Sequence, residues 1–210
     1  MGDQYEAERR RLIERLRRRI DVSDRTLSAV ESVPRHEFVP EDRRSAAYDD
    51  RPLPIGHDQT ISAPHMVAIM VDLIDVDRGD RVLEIGTGCG YHAAVVAELV
   101  GPGNVYSVEY VPALAERARE RLDRLGYDVH VHVGDGREGL PEAAPFDATY
   151  LTCAAADGIP DALVDGTRPG GRIVAPVGGG RSQRLVRLTV SADGDHERED
   201  HGGVRFVPLQ

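Results

Sequence analysis

The chain contains no lysine and no tryptophan, and all 26 of its basic residues are arginine. Against 36 acidic residues these leave a net charge of −10 over 210 residues. Such a balance disfavours tight binding to a phosphate backbone unless positive charge is concentrated in one place. The arginine-only, acidic composition fits a GC-rich genome and a saline cytoplasm, and neither bears on a reaction. No apolar run reaches the roughly 18 to 20 residues that span a bilayer. The opening stretch MGDQYEAERRRLIERLRRR is charged where a signal peptide is apolar. These absences predict a cytoplasmic protein without a membrane or nucleic-acid partner. Cysteine is also scarce: Cys89 and Cys153 lie in different segments, show no metal-ligand spacing, and are expected to be reduced. The histidines show no ligand spacing either, so no metal is expected.

What remains is enough for a proper core. With 40% apolar residues in 210, the expectation is a single domain spanning 1–210, with N-terminal helices and a substrate-side loop in 1–60 and an α/β core in 61–210. Helices are predicted over 4–20 and 23–32, the second capped by Ser23. The arginines of the first helix are interleaved with Glu6, Glu8 and Glu14, and a solvated face with i,i+4 pairs accounts for them without a nucleic acid. Residues 48–60, YDDRPLPIGHDQT, read as an irregular loop leading to a helix over 64–75, with Ser62 placed to cap it. A long irregular segment inside a domain usually holds a site or is disordered.

From residue 64 onward, helix and strand patterns alternate through RVLEIG, YHAAVVAELV, NVYSVEY, PALAERARERLDRLG, DVHVHVGDG, ATYLTCAA, a short helix near 158–165, GGRIVAPVG, QRLVRLTV and GVRFVPL. Strands this apolar, alternating with helices, predict an α/β fold: a doubly wound, mostly parallel Rossmann-like sheet with helices on both faces and a short N-terminal helical extension. The acidic SADGDHEREDHGG between the last two strands reads as a solvated hairpin loop. No dedicated interface is evident, which predicts a monomer.

In such a sheet the ligand lies beyond the carboxyl ends of the strands at the switch point. The first of these turns, LEIGTGCGY, carries Gly86, Gly88 and Gly90, which let the chain turn sharply and let a ligand approach the backbone. Dinucleotide sites use a similar turn, so the turn alone is weak evidence. Glu109 closes the next strand about twenty residues on, where a carboxylate accepts ribose hydroxyls. Asp135 and Gly136 close the one after, where an adenine would sit. Glu84 stands two residues before the first glycine. A pyrophosphate gains nothing from a carboxylate there, whereas the cationic amino-acid end of S-adenosylmethionine does.

The segments VPRHEFVP, YDDRPLPIGHDQTISAPHM, VLEIGTGCGY, VGDG, GGRIVAPVG with QRLVRLT, and FVPL, in this order, resemble the protein-L-isoaspartate O-methyltransferase family. The resemblance runs over nearly the whole chain from about residue 25 and implies a class I S-adenosylmethionine-dependent methyltransferase. It further implies that Ser62 is the catalytic residue and that Thr60, Ile61, His65, Pro208 and Leu209 line the peptide site. Glu84, Gly86, Gly88, Glu109, Asp135 and Gly136 would hold the cofactor. The implied substrate is the free α-carboxylate of L-isoaspartyl residues in damaged proteins, which a helix amino terminus is suited to receive. His65 is either a second carboxylate contact or a helix-surface residue. A methyltransferase of the same fold acting on another carboxylate, a small molecule or a nucleic acid is the alternative.

Overall fold

The computed structural model describes residues 2–180 and 182–210. Met1 and Arg181, which fall within the expected 1–210 span, lie outside the described residues. Helix α1 (Gly2–Arg19) leads to α2 (Asp24–Ser32), whose N-cap Ser23 accepts the Thr26 N–H as expected. Several arginines of α1 are partnered within the chain: Arg10 with Glu6, Arg17 with Asp24, and Arg15 with the Tyr48 carbonyl.

The segment read as an irregular loop is instead ordered. Leu53–Gly56 (β1) and Gln59–Ile61 (β2) form a small antiparallel hairpin, closed by His57 and Asp58, both with positive φ (53° and 57°). Two left-handed residues in a two-residue loop match the twist of paired strands. The sequence hid this because Pro54 and Gly56 read as loop formers.

Helix α3 (Pro64–Ile74) starts with proline in its first turn, where the missing N–H costs nothing. The sheet then builds from β3 (Val82–Ile85), helix α4 (Tyr91–Val100), β4 (Val105–Glu109), α5 (Pro112–Leu125), β5 (Val129–Val133), β6 (Phe146–Leu151), α6 (Asp161–Asp165), β7 (Thr167–Val177), β8 (Gln183–Thr189) and β9 (Glu197–Val204). Its order is β5-β4-β3-β6-β7-β8-β9, parallel through β7, with β8 and β9 antiparallel. The chain reverses direction of growth between β3 and β6, so their carboxyl ends make the switch point.

Coverage of the two faces is uneven. One apolar cluster gathers side chains of α1 to α5 with Val82, Val105, Val131 and Tyr150, while the other takes Leu83, Ile85, Val108 and Leu163 of the short α6. Successive residues of a strand point to opposite faces, so Glu84 shares the face of Val82, beneath the larger set of helices.

The acidic stretch expected to be a loop contains β9. Its Asp200 and Glu199 meet Arg184 (2.9 Å) and Arg187 (3.7 Å) of β8. This edge strand is pinned by its ladder and by opposite charges across it, not by an apolar face, so hydrophobic periodicity could not reveal it. The strand expected over GVRFVPL therefore ends at Val204. Beyond it the chain crosses to the carboxyl edge of the sheet, where Ala154 N–H bonds the Val207 carbonyl (2.7 Å) and Leu209 N–H bonds the Ala154 carbonyl (2.9 Å).

Candidate active site

A cavity of about 790 Å³, including its open mouth, lies at the switch point, within the size range of small-molecule sites. Its wall includes the glycine turn, Glu109, Gly136, Thr60–Ser62 and the Val207–Gln210 segment. Most of the expected cofactor residues thus converge on one cavity. Gly86 adopts φ 97°, and a Cβ there would collide with the Thr152 hydroxyl. At Gly136 a Cβ would collide with Ile85. At both positions the packing admits only glycine, so the cavity is walled there by backbone.

Glu109 is held by two backbone donors. The Gly88 N–H reaches Oε2 at 2.8 Å and the Val111 N–H reaches Oε1 at 2.9 Å. Each oxygen keeps a second lone pair for a ligand hydroxyl. The glycine turn and the carboxylate are therefore fixed to one another before anything binds.

Two expected contacts fall outside the wall. Glu84 is fully buried under the turn and accepts hydrogen bonds from Ser107 and from Tyr150 (2.8 Å). Burial pushes its carboxyl up to about 8, against the pull of those two donors. It lies on the helix-covered face of β3, not facing the cavity, because of strand parity. Asp135 instead caps the next turn through the Arg137 N–H (2.9 Å) and pairs with the Arg137 guanidinium (2.9 Å), which holds its carboxyl below the usual range.

A second groove adjoins the first. It is lined by Pro52, His65, Met66, Gln183 and residues 203–207, and shares Thr60, Ser62, Thr152 and Val207 with the cavity. Ile61, expected on the peptide side, lines the cavity instead, and so do Pro208 and Leu209. The groove takes the stretch just before them.

Ser62 stands on the shared wall. The expected cap does not form: Ala63 is the N-cap of α3 and no side chain caps it locally. The first free N–H, that of His65, is taken by Asp50 Oδ1 at 3.0 Å, and the same oxygen holds His65 Nδ1 at 2.8 Å. The helix amino terminus expected to receive a carboxylate is thus already neutralised by an aspartate from the chain. Among the described residues the Ser62 hydroxyl has no hydrogen-bond partner, leaving it free for a ligand. Its carbonyl is fixed by Arg35, fully buried, which donates from Nη2 to Ser62 O (2.8 Å) and from Nε to Ala47 O (2.9 Å). Arg35 sits in VPRHEFVP, a segment whose charge alone gave no hint of this position.

His92 was not anticipated either. It follows Tyr91 at the start of α4 and lines the cavity. Apart from Glu98 this helix is buried on every side, so a polar residue within it was the available signal.

No helix among the described residues is long and apolar enough to cross a membrane. The family described as protein-L-isoaspartate(D-aspartate) O-methyltransferase matches residues 7–210. A protein-L-isoaspartate O-methyltransferase 2 of Archaeoglobus fulgidus is 53% identical over 208 residues, covering 98% of this chain and 94% of the relative. The Methanothrix thermoacetophila protein-L-isoaspartate O-methyltransferase is 55% identical over 201 residues, covering 95% and 93%. Among solved structures, a protein-L-isoaspartate O-methyltransferase superposes with TM-score 0.86 at 31% identity, covering 96% of this chain and 66% of that one. A Plasmodium falciparum protein described as a beta-aspartate methyltransferase, in complex with S-adenosyl-L-homocysteine, gives TM-score 0.80 at 27% identity, covering 95% and 96%. The chain belongs to the protein-L-isoaspartate(D-aspartate) O-methyltransferase family.

Proposed function

We propose that this chain repairs damaged proteins by transferring a methyl group from S-adenosylmethionine to the free α-carboxylate of L-isoaspartyl residues, with Ser62 orienting that carboxylate. The observation that carries this reading is the unpartnered Ser62 hydroxyl on the wall common to the cavity and the groove.

The residues present fit the cofactor. Gly86 and Gly136 put bare backbone on the cavity wall, and Glu109 offers spare acceptor positions to ribose hydroxyls. When bound, the cofactor supplies a sulfonium methyl open to in-line attack. The carboxylate needs no general base, since a free carboxyl with a reference pKa near 3.5 to 4 is already ionised at neutral pH. The protein's contribution is placement and exclusion of water, and well-oriented reactions gain up to about 7 to 11 kcal/mol. Arg35 fixes the Ser62 carbonyl, so the hydroxyl is presented from a rigid turn. Thr60 and Ile61 precede it on β2, and His65, held by Asp50, forms part of the groove wall.

The groove runs beside residues 203–207, where an extended peptide can be read through its main chain while its side chains stay free. That suits a substrate set of many unrelated damaged proteins. In the methyl ester the neighbouring backbone nitrogen attacks the ester carbonyl and expels methanol to close a succinimide, which water then reopens in part to the normal aspartyl linkage, and that is what makes the reaction a repair. The partnered arginines of α1 support a solvated helix and no nucleic-acid role, and we infer a cytoplasmic monomer of one domain.

The test is methyl transfer to an isoaspartyl peptide and to its normal aspartyl isomer. Methylation of the first alone is expected; equal or absent methylation of both overturns the reading. Ser62→Ala is expected to lower turnover roughly 100-fold with unchanged affinity for S-adenosylhomocysteine. Full turnover in that variant would remove Ser62 from the mechanism.

A further inference from the structure

We infer that His92 is a cofactor-binding residue whose imidazole hydrogen-bonds the amino-acid end of S-adenosylmethionine, the role that sequence reasoning gave to Glu84. The inference rests on the cofactor reading above. Three observations lead to it. His92 is 6% exposed and lines the cavity. Neither of its ring nitrogens meets a donor or acceptor among the described residues. Buried polar atoms are nearly always paired, and each exception calls for an explanation such as a bound ligand. The third observation is Glu84 itself: the carboxylate expected to meet the amino-acid end is occupied by Ser107 and Tyr150 and lies outside the wall.

The cavity also orders the ligand. Glu109 and Gly136 suit the adenosine, which leaves the rest of the wall, Thr60–Ser62 and His92 among it, for the sulfur and the amino acid. His92 is the histidine on that wall, and its chemistry matches. Burial pushes its imidazolium down to about 3, so the ring is neutral at physiological pH. A neutral imidazole has one N–H donor and one acceptor nitrogen. It can donate to the carboxylate or accept from the ammonium without adding charge to a zwitterion. Tyr150 packs against the ring (centroids 4.5 Å apart) and holds its plane.

The alternative role for His92 is packing against Tyr150, and His92→Phe separates the two because it keeps an aromatic ring and removes both nitrogens. His92→Gln keeps a donor and an acceptor. The probes are S-adenosylhomocysteine and 5′-methylthioadenosine, which has the adenosine and thioether but no amino-acid end. Binding is measured by calorimetry on the full chain. In His92→Phe the affinity for S-adenosylhomocysteine is expected to fall about tenfold or more, with that for 5′-methylthioadenosine unchanged. His92→Gln is expected to retain most of the affinity for both. Equal loss for the two ligands in His92→Phe assigns His92 a packing role and overturns the inference, as does unchanged S-adenosylhomocysteine binding. If the wild-type chain binds neither ligand, the cofactor reading falls first and the inference with it.

Discussion

The two walls of the site are made of different material. On the cofactor side the wall includes fixed backbone: Gly86 and Gly136 sit where a side chain would strike Thr152 or Ile85, and Glu109 is pinned by two main-chain N–H groups. On the peptide side the groove is formed by half-exposed and exposed side chains, among them Pro52, His65, Arg205 and Phe206. One wall meets the same small molecule in every cycle, so close packing and fixed donors carry its selectivity. The other must admit many sequences, and a wet, side-chain-lined surface leaves most of a guest peptide unread. Ser62 stands where the two meet, and it is held by the buried Arg35.

This contrast can be broken most severely at the glycine turn. Gly86→Ala is expected to abolish measurable S-adenosylhomocysteine binding by calorimetry. The new Cβ meets Thr152, and a φ of 97° is strained for any L side chain. The double variant with Thr152→Ala removes the collision and leaves the strain, so it should recover only part of the affinity. Full recovery would show that sterics alone shape this wall.

A smaller effect distinguishes the wall from what lies beneath it. Glu84 is raised from an ordinary 4.5 to about 8 by burial. Folding therefore takes up a proton between those values, and this group's stabilising contribution, complete below about 4.5, is lost as pH rises through about 8. Glu84→Gln removes that titration. Its Tm relative to the wild type should shift upward by at least about 2 °C between about pH 5 and about pH 8, with a far smaller loss of cofactor affinity than at Gly86. A Tm difference that does not change with pH would mean that Glu84 is ionised throughout. The smallest effect belongs to the edge farthest from the cofactor. Arg184→Ala removes an exposed pair with Asp200, and thermal melts should show a fall of less than about 2 °C.

The sequence was legible where local chemistry demands a particular residue. Glycines at 86, 88 and 90, Ser23 before α2, and Pro64 and Pro112 at helix starts all carry their meaning in themselves. It was illegible where meaning depends on direction. Every residue of β3 is buried, so nothing in VLEI tells which face Glu84 takes, and the carboxylate was assigned to the ligand when it belongs under the helices. β9 escaped notice because cross-strand charges stabilise it. The cap at Ser62 was misread because its competitor, Asp50, lies 15 residues from His65 in sequence and beside it in space. His92 had a visible signal, a polar residue in a helix that is otherwise apolar but for Glu98, whereas Arg35 had none, and each needed the tertiary structure to say what it faces.

The last residues of the chain have a practical consequence. Val207 touches both the cavity and the groove, and Gln210 is part of the cavity wall, so a bulky fluorescent reporter attached at residue 210 would stand beside the bound cofactor. Protein carrying such a reporter should show slower ligand exchange than the unlabelled chain, and handles for immobilisation belong elsewhere on the surface.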